Sequence, residues 1–146
     1  LPAPTPWPRA EPAAATPLII VADYNIAPTD ADVWNPESWK GNILVSEPER
    51  SALKTLLAAG LTDTWNLELH DPETYSWWDY RQSGFEKNHG LRIDLMLAAE
   101  PLTQRIKDVA VDTAPRATEK PSDHAPVVLT LSACFLTAGT KNGTVF

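Results

Sequence analysis

At 146 residues, 43% of them hydrophobic, the chain holds one modest domain with an ordinary core. Its net charge of −7, from 12 basic and 19 acidic residues, gives no support to nucleic-acid binding by bulk positive charge. No apolar run approaches the roughly 18–20 residues that span a bilayer, and the opening segment lacks the basic-then-apolar layout of a secretory signal.

Residues 1–17 contain six prolines, which bar helix and central-strand hydrogen bonding. An extended linker is expected there, with Trp7 an isolated aromatic within it. The chain opens on Leu1 and its single Met is Met96, so a fragment, a processed product or a truncated piece is expected. Leu18–Ala22 is continuously apolar and is expected as a strand covered on both faces. Ile26–Lys40, rich in Pro, Asp and Trp, reads as a long structured loop in which Trp34 and Trp39 pack.

Ser46-Glu47-Pro48-Glu49 predicts a helix start: Ser46 caps, Glu49 occupies the reciprocal position, and both glutamates favour the positive dipole end. Leu53, Leu56 and Leu57 are expected as its apolar stripe, with Gly60 as its stop. Thr62–Trp65 is expected as a short strand or turn, and Tyr75–Tyr80 as β-favouring. Of the neighbours Trp77 and Trp78, one should enter the core. After a polar loop over Ser83–Gly90, Leu91–Leu97 predicts one strand. Its Leu91, Ile93, Leu95 and Leu97 face one way and Arg92, Asp94 and Met96 the other. A short helix near Pro101–Ile106, a strand near Val109–Asp112 and a last strand at Val127–Leu131 complete the domain over residues 18–132. Residues 133–146 show no periodicity and are expected as a tail. Its Cys134, the single cysteine, excludes an internal disulfide framework, is poor support for zinc and fits a reducing intracellular compartment. In a bacterium that compartment is the cytoplasm; a nucleus or organelle stays open.

Three short stretches carry chemistry. Asp23 and Asn25 follow the first strand, Asp94 lies within a later one, and Asp123-His124 sits between Pro121 and Pro126 just before the last. Carboxylates suit hard Mg²⁺, which neutralises nonbridging phosphate oxygens. A His paired with Asp is fixed in tautomer and favoured as imidazolium, and an Asn amide donates to a phosphoryl oxygen without adding charge. Each residue also has a structural reading: an Asx turn at Asp23, a solvated carboxylate at Asp94, a hydrogen-bonding His124. His70 and His89 have no assigned role.

Taken in order, Ala22-Asp23-Tyr24-Asn25-Ile26-Ala27-Pro28, Ser76-Trp77-Trp78-Asp79-Tyr80-Arg81, Asn88-His89-Gly90-Leu91-Arg92-Ile93-Asp94 and Glu119–Pro126 resemble the C-terminal half of an exodeoxyribonuclease III-type abasic endonuclease. That family belongs to the exonuclease–endonuclease–phosphatase superfamily. The resemblance implies an α/β fold, part of a four-layer sandwich with two packed sheets. It implies Mg²⁺- or Mn²⁺-dependent cleavage beside abasic sites and trimming of 3′ ends in duplex DNA. By position it implies Asp23, Asn25, Asp94 and His124 as catalytic residues. Asp23, Asn25, Asp123 and His124 are implied around the metal, and Trp77, Arg81, Asn88 and Arg92 against DNA. Whether Asp23 or His124 activates water stays open. Ala22 departs from the family's Gly, the tail after Leu131 is unfamiliar, and the family's N-terminal half, with its metal-binding Glu, has no counterpart. A half-sandwich implies exposed apolar sheet, hence self-association or a complementary N-terminal half as partner. The alternatives are a superfamily phosphatase and a noncatalytic DNA- or protein-binding module.

Overall fold

The computed structural model describes residues 17–133. The linker expected over 1–16 and the tail from 134 onward, with Trp7 and Cys134, lie outside the described residues. In chain order come β1 (Ile19–Asp23), α1 (Pro36–Trp39), α2 (Glu47–Ala58), β2 (Leu61–Asp63), β3 (Trp77–Trp78), β4 (Gly90–Leu91), β5 (Asp94–Ala99), β6 (Ile106–Val111) and β7 (Val127–Leu131), with short 3₁₀ turns between. They form three small antiparallel sheets, ordered β1-β5-β2, β3-β4 and β6-β7. This is the mixed α/β class expected. Among the described residues no helix is long and apolar enough to cross a membrane.

Helix α2 starts where its local chemistry dictates. Glu49 reaches back to accept from Ser46 N at 3.0 Å and Leu44 N at 3.1 Å, and Gly60 ends the helix at φ +103. Leu53 is buried on Leu95 and Leu97 of β5, with Leu57 at the edge of that cluster. Leu56, expected in the same stripe, is instead exposed. The bond from Ser46 holds the Glu49 carboxyl below its ordinary range, outweighing burial, with the backbone amides of Leu44 and Ser46 adding to it. A depressed carboxyl stabilises above its unfolded pKa, and that contribution is lost as pH falls through the folded value. Glu49→Gln is therefore expected to cost about 0.5 kcal/mol near neutrality, at the low end of capping effects because of solvent screening. Urea titrations against pH check this: the two curves converge in acid.

Two strand expectations change. Leu91–Leu97 is not one strand but β4 and β5, broken at Arg92-Ile93. There the backbone turns to other acceptors: Arg92 N donates to Asp32 O at 2.9 Å, and Ile93 N to Ser76 Oγ at 3.0 Å. The alternating apolar set still reaches the core, with Leu91, Ile93, Leu95 and Leu97 all buried. Strand β1 forms, but at the edge of its sheet and not covered on both faces. Val21 is 58% exposed, and Leu18 and Ile20 are also open.

Candidate active site

The register of β1 on β5 places Asp23 directly opposite Asp94 at the strand ends. Two like charges so placed repel, and the His124 ring lies against both. Its Nδ1 is 2.8 Å from Asp94 Oδ2, and its Nε2 is 3.7 Å from Asp23 Oδ2, beyond hydrogen-bond length. Because a carboxylate only accepts, Asp94 puts the proton on Nδ1 and turns Nε2 toward Asp23. One ligand atom from each of Asp23, Asp94 and His124 lies within 4.8 Å of the others.

Backbone pairing fixes this triad. Asn25 N donates to Asp23 Oδ1 at 2.8 Å, and Asn25 sits in the left-handed region at φ 53. The Asx turn is therefore real, and it orients Asp23 with Oδ2 facing the ring. Residues 123–125 run beside β3: Trp78 N donates to Asp123 O at 3.0 Å and Ala125 N to Ser76 O at 2.8 Å. Ser122 Oγ accepts from His124 N at 3.1 Å. Ser76, fully buried, uses Oγ to accept from the amides of both Ile93 and Asp94. Sequence reasoning missed Ser76. The available signal was a serine inside an aromatic β-favouring run, since a buried hydroxyl must find partners.

The cluster around His124 differs in membership from the expected metal set. Asp94, expected as the residue orienting His124, joins the cluster. Asp123 lies outside it, its Oδ2 accepting from Trp77 Nε1 at 3.0 Å. The donor chemistry fits a hard divalent cation: two carboxylates converge, and one ring nitrogen is committed to Asp94.

Of the residues expected against DNA, Trp77 and Arg81 line an open cleft of about 340 Å³ with Trp34, Trp39 and His89. Trp77 is half-buried with Trp39 edge-on at 6.3 Å, while Trp78 enters the core. Trp34 stacks on His89 at 3.6 Å. His70 stacks on Trp65 at 3.5 Å and is not a member of the triad. Arg81 is exposed and its hydrogen bonds hold the Asp79 carboxyl below the usual range. Asn88 has both ends of its amide engaged: Oδ1 accepts from Trp78 Nε1 at 3.1 Å, and Nδ2 donates to Glu73 O at 2.9 Å. Gly90 is required beside it, because a Cβ there would lie 2.5 Å from Trp78 Nε1.

Arg92 corrects the expectation outright. It is 2% exposed, with Nε on Asp32 Oδ1 at 2.6 Å and Nη2 on Asp63 Oδ2 at 2.9 Å. Burial works against its charge, and Asp63 and Asp32 more than offset that, raising its pKa. Arg92 is a core ion pair beside Asp94 and does not present a surface to DNA.

Residues 7–124, more than half of the chain, match the Endonuclease/Exonuclease/phosphatase family, and the chain belongs to that family. Within it, the chain is 38% identical over 120 residues to exodeoxyribonuclease III of Haemophilus influenzae, an alignment covering 77% of this chain and 45% of that protein. Its fold is similar to that of the 3′ phosphatase NExo from Neisseria bound to a product DNA hairpin. There the TM-score is 0.77 at 41% identity, covering 80% of this chain and 46% of the other. It is equally similar to an AP endonuclease from Archaeoglobus fulgidus, with a TM-score of 0.77 at 34% identity over 81% of this chain and 46% of the other. The chain spans about half the length of the relatives it matches.

Proposed function

We propose that the chain carries the catalytic half of a divalent-metal-dependent DNA repair nuclease that incises duplex DNA beside abasic sites and trims 3′ ends. The Asp23–His124–Asp94 triad carries this reading. Asp23 Oδ2 makes no hydrogen bond among the described residues, so it is the free basic atom for the proton of an attacking water. His124, fixed at Nδ1 by Asp94, directs Nε2 at the phosphoryl oxygens, and the Asn25 amide donates to the same group. A bound Mg²⁺ or Mn²⁺ would be held by Asp23 and Asp94, with Asn25 and Asp123 as neighbouring oxygen donors, and would neutralise charge on the phosphate. The aromatic cleft beside Trp77 is where the DNA would lie. A DNA substrate and a lone thiol together favour a reducing cellular interior.

A 3′ phosphatase among the similar structures supports a second reading, removal of 3′-terminal phosphate by the same hydrolytic attack. Three duplexes decide between them, one with an internal abasic site, one with a recessed 3′ hydroxyl and one with a 3′ phosphate. Preference for the first two supports the nuclease; release of phosphate alone supports the phosphatase. Asp23→Asn should abolish turnover in either case. DNA binding that is intact in Asp23→Asn, with no turnover by the parent on any duplex, would instead support a binding module.

The open faces of β1 and of β7, where Val128 and Leu131 are exposed, leave apolar sheet without cover among the described residues. The chain expressed alone is therefore expected to self-associate, and a complementary N-terminal half to relieve this. Light scattering after size exclusion tests it; a monodisperse, cooperatively unfolding monomer would contradict it.

A further inference from the structure

We propose that Arg116 is a positioning residue: it clamps the Pro121–His124 loop and so sets the aim of His124. The proposal rests on the nuclease reading above for its consequence, and on geometry for its substance. Arg116 lies in the 3₁₀ turn Ala114–Ala117, seven residues before Asp123, and is only 5% exposed. No Asp or Glu among the described residues pairs with it. Its guanidinium instead lies against three rings, 4.7 Å from the Phe85 centroid, 5.6 Å from Tyr80 and 5.8 Å from Trp78. Its Nη1 donates to Ser122 O at 2.7 Å, while Nε has no partner.

Taking a cation out of water without a carboxylate is costly, and aromatic faces recover only part of that cost. An apolar side chain would fill the same space without it. What Arg alone supplies here is a rigid, charge-assisted donor to the loop carbonyl one residue before Asp123. A second donor acts in parallel, because Tyr80 Oη donates to Pro121 O at 2.7 Å. Successive carbonyls are thus pinned by two side chains that also touch each other, Arg116 against the Tyr80 ring. The next residue, Asp123, is pinned by the Trp78 amide and the Trp77 indole. His124 follows with little freedom left. Its ring meets Asp94 because the loop carrying it cannot drift.

The test compares the full chain with Arg116→Met and Arg116→Lys, reading the ¹⁵N signals of the His124 ring, assigned by His124→Ala. The parent is expected to show the proton held on Nδ1. Arg116→Met is expected to fold, with His124 moving toward the mixed tautomers of a free imidazole, and Arg116→Lys to lie between. Where incision is measurable, kcat should fall about 10- to 100-fold with KM within about twofold, as for a misplaced catalytic group. An unchanged His124 ring in folded Arg116→Met would overturn the proposal. If that variant does not unfold cooperatively, Arg116→Gln decides, since it removes the charge and the guanidinium fork that bonds Ser122 O while keeping a polar side chain. There a perturbed ring supports the clamp and an unperturbed one refutes it. The ring signal needs no turnover, so absence of incision by the parent counts against the nuclease reading alone.

Discussion

His124→Ala is expected to lower turnover of abasic-site incision about 100- to 10,000-fold, in whatever assembly of the chain cleaves DNA. The argument is geometric. Among the described residues His124 alone pairs with both carboxylates, and its Nδ1 bond at 2.8 Å leaves Nε2 as the ring nitrogen free to face substrate. Removing the ring removes a donor to the phosphoryl oxygens and leaves Asp23 and Asp94 opposed across the register without their common partner. Asp94→Asn should cost a comparable factor by a different route, because an amide can donate to Nδ1 and select the wrong tautomer. Since the part of the Asp94 loss that passes through the ring is not suffered twice, the double variant should lose less than the product of the two singles. Steady-state kinetics on one abasic duplex check all three, and losses that multiply would mean that Asp94 acts on its own.

Arg92→Ala is expected to destabilise the fold by about 3–5 kcal/mol, because it leaves two buried carboxylates without a counter-charge. Asp63 is as buried as Arg92, and Asp32 is nearly so. Asp32 is further engaged by Thr29, whose amide and hydroxyl donate to Oδ2 at 2.9 and 2.8 Å, so it cannot turn away to solvent. Arg92 also stands two residues before Asp94, which ties the loss to the site. Urea or thermal unfolding decides. A variant of unchanged stability but weakened DNA affinity would restore the surface role that its motif implies.

What could be read from the sequence was local. The α2 cap needs residues three apart, and Val127–Leu131 is a β-branched run whose ends appear where composition changes. The order of the four motifs located Asp23, Asp94 and His124, and the fold brings those three together. What could not be read depends on partners far along the chain. Arg92 looked like a surface cation because Asp32 and Asp63 lie 60 and 29 residues away. Alternation set its side chain apart from Leu91 and Ile93, but the strand breaks at Arg92-Ile93 and all three are buried, and alternation does not say whether a face meets water or acids. Ser76 and Arg116 escaped notice for the same reason: their partners are backbone atoms of other segments, which leave no pattern in composition. Asp123, implied at the metal by the resemblance, accepts at Oδ2 from the Trp77 indole 46 residues upstream, a contact that composition does not show. The exposed β1 was misread because a continuous apolar run reports what a strand can bury, and not whether a second layer is present.

The most direct measurement is incision of a duplex carrying one abasic site by the purified chain, with Mg²⁺ and with EDTA, beside His124→Ala. The account predicts cleavage that needs the cation and fails in the variant, in the chain as an oligomer or joined to a complementary N-terminal half. Soluble, folded protein that cleaves equally well in EDTA, or with alanine at position 124, would contradict it.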